Sequence, residues 1–506
     1  MTDVIDVKKE RERKRNIYAN ISKEKVLEEL IKIFGKEYVS DKPHDLYPYS
    51  YDMTEVEGHM PDFVVIPETV EEIVELNKFC DANKIPIVPY ATGNNVAGLT
   101  IPQHGGIICD MGKRMKNIIK VHDSAMYAIL EPGVTFGQLK KYLEKNHPDL
   151  KYTYPFAPPY ASVAMNALMA GETNITSKGT TADWINGLEV VLHNGDVVRT
   201  GSCFISKEFK DDNWFYRQSI PDLTGLFICW QGLTGIVTKC AVKLVPKMEF
   251  NTAFGIVLYD SEICTELLKK LGRTECCDDL VVVNLELLKA LLNHYYRSVE
   301  NQFKAIKFED EPDWALYFTI SGQTKEILEA KVKYIKEIVE EAKEKNERIF
   351  MANLFTFQAF FGELIGLLFE LPKFIQSFYY WNSITWIGSY ANQDNFPTLM
   401  DEAIKLYRKY DMEPLIYLKG MNNGHYGLYR VITRFNKEKE VETVKKLNEE
   451  ILELMLDYDC VPDKTPAWIT DRLREKGDPN WFKLLERIKK AMDPNAIFNP
   501  GKWGLD

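Results

Sequence analysis

The sequence predicts an α+β protein of more than one domain, and three observations carry that prediction. Its 506 residues exceed what a single hydrophobic core ordinarily organises. Residues 62–90 read as strand, helix, strand. Residues 249–458 alternate short β-branched or aromatic runs with long amphipathic stretches, the pattern of an antiparallel sheet covered by helices on one face.

Residues 62–67 (DFVVIP) read as a strand, and residues 70–83 place Ile73, Val74, Leu76 and Phe79 at helical spacing. Residues 85–90 (IPIVPY) form a second strand that feeds a loop. Strands follow at 106–110, 127–130, 187–192 and 197–200, and the Asn-Gly pair inside HNGD (193–196) makes the last two a hairpin. In the second region, strands are expected at 253–258, 314–320, 383–387, 415–418 and 428–435. Helices are expected at 285–296, 326–345, 397–410 and 437–456, with Asn284 as the N-cap of the first. A final helix at 481–492 stops at Asp493-Pro494, because proline cannot continue the hydrogen-bond ladder.

Composition excludes several classes. Hydrophobic residues make up 45 % and charged residues 27 %, a globular balance. A net charge of −11 argues against a general nucleic-acid binder, which needs a basic surface to neutralise phosphates. The nine cysteines contain no C-x-x-C pair, so a disulfide framework, zinc ribbon or cysteine-bound cluster is not expected, and reduced thiols in a cytoplasmic protein are the plain reading. Lys8, Lys9, Arg11, Arg13, Lys14 and Arg15 mix with glutamates and precede no apolar core, so no secretory signal is read. The most apolar stretch, 350–381, is interrupted by Glu363, Glu370, Pro372 and Lys373. A span needs about 20 nearly uninterrupted apolar residues, so none is predicted. Phe355, Phe357, Phe360, Phe361, Phe378, Tyr379, Tyr380 and Trp381 make this stretch an aromatic wall or core, and a hydrophobic substrate is the functional reading of it.

The most informative segment is YATGNNVAGLT (90–100). Gly93 and Gly98 permit positive φ and close backbone approach, so successive N–H groups can face an anion, with Asn94 and Asn95 adding side-chain donors. A Walker A loop fails here because Leu99 stands where the lysine must be, and no G-x-G-x-x-G is present. A plain tight turn is the competing reading.

Four further segments join this loop in order: residues 105–144 (GGIICDMGKRMKNIIKVHDSAMYAILEPGVTFGQLKKYLE), 187–201 (GLEVVLHNGDVVRTG), 232–246 (GLTGIVTKCAVKLVP) and 493–504 (DPNAIFNPGKWG). Together they resemble the vanillyl-alcohol oxidase/p-cresol methylhydroxylase family of flavoproteins, with a PCMH-type FAD-binding domain. The resemblance implies a two-subdomain FAD-binding domain (1–248), an α+β cap (249–455) and a C-terminal segment (456–506) returning to the FAD domain. It implies an FAD-dependent oxidoreductase that is a homo-oligomer, with a small-molecule substrate. The electron acceptor is left open among oxygen, a quinone and a protein carrier. Carried over by motif, Thr92, Gly93, Asn94 and Asn95 would hold the pyrophosphate. Gly133 would pack near the cofactor, and Pro158, Ala161 and Ser162 would line flavin and ribityl. Gly235, Ile236 and Val237 would meet the adenine side or the flavin ring through backbone groups. Lys502 would neutralise charge near the flavin, against a surface role.

The chain departs from the family in its chemistry. Phenol-oxidising relatives carry a tyrosine late in the first glycine loop, an aspartate beside flavin N5, and a Tyr-Arg pair before the C-terminal helix. The aligned positions here are Gly98, Ala157 and Pro462-Asp463-Lys464, so the phenolate machinery looks absent while Lys464 offers a positive charge. The cap histidine that bonds flavin covalently falls near Thr385, and noncovalent FAD is expected. The 2-hydroxy-acid branch uses G-D-G-N-x-H with a histidine pair. GMNNGHYGLYR (420–430) keeps only His425, and no metal is expected. Catalytic candidates are His425, Tyr426, Tyr429, Arg430 and Lys464. Strand alternation sets His425 and Tyr429 on one face and Tyr426 and Arg430 on the other, and only one pair can point inward. The leading reading is hydride removal from an alcohol or benzylic carbon of a hydrophobic molecule. The alternatives are a D-lactate/glycolate-type dehydrogenase and a flavin-bearing electron-transfer subunit.

Overall fold

The computed structural model describes residues 21–206, 208, 210–218, 220–295, 311–357 and 383–505. The basic run at 8–15 and the aromatic positions from 358 to 381 lie outside the described residues.

Among the described residues three large sheets carry the chain, beside a two-stranded one of Leu150–Lys151 and Val245–Pro246. The first has four strands in the order Val39–Ser40, Phe63–Val65, Ile107–Asp110, Ile87–Tyr90, with the last three parallel. Its crossover helix Val70–Asn83 starts on a capping box in which Thr69 and Glu72 satisfy each other's backbone N–H groups. The second has five antiparallel strands in the order Ile118–His122, Tyr127–Leu130, Ile236–Lys243, Ile185–Val191, Val197–Arg199. Its hairpin turns at the Asn-Gly pair, with Gly195 at φ +84°.

The third sheet has eight antiparallel strands. Their order is Phe350–Asn353, Phe250–Leu258, Trp314–Gly322, Asp279–Asn284, Leu415–Met421, Tyr426–Phe435, Ser383–Ala391, Val461–Pro462. Helices Ser261–Gly272, Lys325–Lys345, Phe396–Lys409 and Val441–Asp457 cover one face in a single apolar core. The opposite face carries Val281, Ile384, Tyr417, Leu428 and Ile432, which pack against Val96 of the glycine loop. Asn284 caps helix Leu285–Tyr295 as expected, accepting from Leu287 N at 3.2 Å.

Some elements differ from expectation. Asp279–Asn284 and Phe350–Asn353 are strands that a short apolar run did not declare. The helix expected from 437 begins at Val441, because Asn436 N donates to Glu440 Oε2 and Glu440 N donates back to Asn436 O, closing a turn first. The chain's last segment returns to the first sheet. Ile87 N donates to Ile497 O at 2.7 Å, and Asn499 N donates to Ile87 O at 2.8 Å.

Candidate functional site

A cavity of about 240 Å³ lies where the glycine loop, residues 155–172, the 227–237 segment and the bare face of the large sheet converge. At the loop, Gly93 and Gly98 sit at φ +65° and +64°. A Cβ on Gly93 would fall 1.9 Å from Tyr90 Oη, and one on Gly98 2.7 Å from Val56 Cγ1, so both space and conformation require glycine. Asp52 Oδ2 accepts from Gly98 N at 2.7 Å. Asn95 Oδ1 accepts from Leu99 N at 3.0 Å and Thr92 Oγ1 from Ser162 N at 3.1 Å. The loop is thus fixed from behind, and Thr92, Gly93, Asn94 and Asn95 line the cavity.

Around this wall, buried polar atoms are left without partners among the described residues. They include Asn94 Oδ1, Asn166 Oδ1, Gln231 Oε1 and Asn499 Oδ1. Buried polar atoms are seldom left unpaired, and several aimed at one space fit a polar ligand there. The glycine loop with this acceptor-and-donor wall suits an extended dinucleotide that needs no charged clamp.

The sheet-side wall is chemically different. Ile384, Trp386, Tyr390 and Ile432 supply apolar surface, and Arg430, Glu172, Asp463 and Lys464 supply charge. Arg430 is paired twice, to Glu172 at 3.3 Å and to Asp463 at 2.8 Å, and Tyr417 donates to the second Glu172 oxygen at 2.7 Å. Burial alone would lower the Arg430 pKa, but the two carboxylates outweigh it and hold the guanidinium firmly charged. Arg430 Nε and Asp463 Oδ1 have no partner among the described residues. The Lys464 ammonium stands 4.4 Å from the centre of the Trp386 ring. Burial lowers its pKa to about 8, a fall that Asp463 opposes and Arg430 reinforces.

The sequence candidates sort cleanly. Pro158, Ala161, Ser162, Gly235, Val237, Arg430 and Lys464 line the cavity. Ile236 does not: strand alternation turns it into the opposite core, fully buried with Ile87 and Phe498. Gly133 is not on the wall either. Its role is packing, since a Cβ there would lie 2.6 Å from Met115 O and 2.9 Å from Gly112 O. Lys502 is neither on the surface nor in the cavity. It is buried, and its Nζ donates to Gly98 O at 2.7 Å and Ile101 O at 2.9 Å, tying down the glycine loop. Burial lowers its pKa to about 7, with Asp52 opposing. His425 is exposed in the turn before its strand, its N–H bonded to Asn422 O. Tyr429 points into the helix-covered core and donates to Leu399 O at 2.8 Å. These two are therefore withdrawn from the site. Tyr426 shares the Arg430 face but packs edge-on against Tyr390 without lining the cavity. Thr385, by the same alternation, turns away from the cavity that Ile384 and Trp386 line, and bonds to Glu55.

Sequence reading missed Glu172, Tyr417 and Trp386, and did not count Asp463 as a site residue. Glu172 lies in a loop with no motif around it, and only the folded chain brings it to Arg430, 258 positions away.

Comparison with known proteins agrees with this geometry. Residues 61–201 match the family described as FAD binding domain, and residues 391–503 match FAD linked oxidases, C-terminal domain. The chain is 27 % identical over 513 aligned positions to the 4-cresol dehydrogenase [hydroxylating] flavoprotein subunit of Pseudomonas putida, covering 95 % of each protein. It is 34 % identical over 243 residues to glycolate oxidase subunit GlcD of Bacillus subtilis (strain 168), covering 47 % of this chain and only 48 % of that protein. Among solved structures, p-cresol methylhydroxylase with substrate bound superposes with a TM-score of 0.83 at 24 % identity, covering 96 % of this chain and 97 % of the other. The 4-ethylphenol oxidase from Gulosibacter chungangensis gives 0.84 at 18 % identity, covering 96 % and 98 %. These two likenesses establish the fold.

Proposed function

This chain belongs to the PCMH-type FAD-dependent oxidoreductases, and from that premise we propose that it removes a hydride from the hydroxyl-bearing or benzylic carbon of a hydrophobic small molecule. The observation that carries the reading is the sheet-side wall. An apolar slot of Ile384, Trp386, Tyr390 and Ile432 ends in one cation, Lys464, and one carboxylate oxygen, Asp463 Oδ1, neither hydrogen-bonded among the described residues.

FAD, when bound, supplies the hydride acceptor. Asn94, Asn95, Thr92 and Ser162 would hold it along the glycine loop, with Lys502 keeping that loop in place and Gly133 packed against the 112–115 segment. Some relatives bond flavin through a tyrosine; among the described residues the one tyrosine lining the cavity is Tyr390, whose hydroxyl donates to Ala170 O at 2.8 Å, which supports noncovalent binding. The apolar slot orients the substrate and excludes water. Asp463 Oδ1 accepts the substrate hydroxyl proton as the hydride departs, and Lys464 stabilises the oxygen on which negative charge builds. Arg430 holds Asp463 in place through their ion pair and is itself held by Glu172, to which Tyr417 donates, so it positions rather than reacts.

A second reading has one observation in its favour. A stretch of 47 % of the chain aligns with the glycolate oxidase subunit and one of 37 % with a D-lactate dehydrogenase, and a carboxylate would suit Lys464. We further propose the division into 1–248, 249–455 and 456–506, a homo-oligomer, and a cytoplasmic location supported by nine unpaired cysteines. Among the described residues, no helix is long and apolar enough to cross a membrane.

The test is optical. Purified protein is expected to show flavin bands that move to the supernatant on acid precipitation. Anaerobic bleaching should be faster with aryl or benzylic alcohols than with D-lactate or glycolate. Faster bleaching by the hydroxy acids would replace the first reading by the second.

A further inference from the structure

The outer face of the C-terminal helix Pro479–Met492 carries apolar residues with nothing over them among the described residues. Phe482 and Leu485 turn inward and are buried, whereas Trp481 and Leu484 are 47 % and 55 % exposed. The i, i+3, i+7 spacing aligns Trp481, Leu484 and Ile488 in one stripe. Lys483, Arg487 and Lys490 form a second row along one side of it, all exposed and none in an ion pair among the described residues. The helix's one acid, Glu486, is already paired with Arg474 at 2.8 Å.

This helix is fastened to the cavity wall. The Trp481 ring lies 5.7 Å from Trp503, and Trp503 Nε1 donates to Cys229 O at 3.0 Å. Two residues on, Gln231 and Gly232 line the cavity. From the helix's inner face, Lys489 Nζ donates to Leu233 O and Phe498 O, each at 3.0 Å.

We infer that the Trp481–Leu484–Ile488 stripe is the docking surface for an acidic protein that takes reducing equivalents from this enzyme. The inference rests on the proposed function in one respect, that a reduced cofactor forms in the cavity. Charge selects the partner. A chain of net charge −11 repels an acidic protein over much of its surface, so such a partner is steered to a place where three cations, unpaired among the described residues, stand together. An aromatic and aliphatic centre with a charged rim is the anatomy of a protein interface. The electrons balance with one-electron carriers. Each substrate oxidised yields two electrons and two protons, so two carriers are reduced and the protons pass to solvent.

The experiment uses the flavin-loaded enzyme reduced anaerobically with one equivalent of dithionite, so no substrate is needed. The probe is the soluble haem domain of cytochrome b5, an acidic one-electron carrier, with a basic cytochrome c as its counterpart and ferricyanide as small acceptor. Binding is read by calorimetry, which also works on flavin-free protein, and electron transfer by haem absorbance. Cytochrome b5 is expected to bind and to be reduced, both weakening with salt. Trp481→Ala and the surface pair R487E/K490E should each lower affinity and rate about tenfold, with ferricyanide reduction unchanged. Undiminished binding in R487E/K490E, or faster reduction of the basic cytochrome, would overturn the inference. So would a dimer that R487E/K490E converts to monomer, because the stripe would then be covered by a second copy. Failure of the protein to bind flavin would instead count against the proposed function, while calorimetry would still decide the docking.

Discussion

Replacing Arg430 by methionine should damage both the fold and the chemistry. Arg430, Glu172 and Asp463 are each less than a tenth exposed, with charged atoms 3.3 and 2.8 Å apart. At an effective dielectric of about 20, unit charges about 3 Å apart attract by about 5 kcal/mol. Methionine removes two such attractions, spares the desolvation of the guanidinium, and leaves two buried carboxylates facing one another. Removing one partner of a buried ion pair typically costs about 3–5 kcal/mol. Thermal unfolding of R430M and wild type measures this, with R430M/E172Q expected to recover part of the loss. An R430M protein as stable as wild type, or an R430M/E172Q protein no more stable than R430M, would refute this account of the cluster.

Three other outcomes are expected. Because Lys464 acts as a cation and its pKa is lowered to about 8 by burial, the rate of flavin bleaching per unit substrate should fall above about pH 8, and Lys464→Gln should abolish that limb. Gly133→Ala drives a Cβ against Met115 O and Gly112 O, so purified protein should carry less flavin per chain, measured by the ratio of visible to ultraviolet absorbance. Lys502 has its pKa lowered from 10.5 to about 7 by burial. Between those values the unfolded chain holds a proton that the folded chain has released, so this group's contribution to stability rises with pH. Lys502→Met should therefore compare best with wild type below pH 7 and worst near pH 10, as read by denaturant midpoints.

Long, strongly periodic segments were legible directly. Val70–Asn83 and Tyr127–Leu130 fall where the residues put them, because the spacing of apolar side chains reports which face is buried. Short runs were not. Asp279–Asn284 becomes a central strand only because Trp314–Gly322 and Leu415–Met421 flank it. The glycine loop was legible because glycine is demanded by backbone geometry within a few residues. The charged cluster was not, since Glu172, Arg430 and Asp463 share no spacing that a local pattern could reveal.

Readable from the residues alone are local features: the helices and strands with a clear period, the loop that can approach an anion, and, through ordered motifs, the cofactor and class of chemistry. Folding sets which side of the Tyr426–Phe435 strand faces the cavity, sending Arg430 inward and Tyr429 into the helix-covered core. It also decides that Arg430 is spoken for by two carboxylates, leaving Lys464 as the cation available to a substrate. Alternation fixes which residues share a face, but only the packing of helices on one side of the sheet and the glycine loop on the other says which face is the core and which the site.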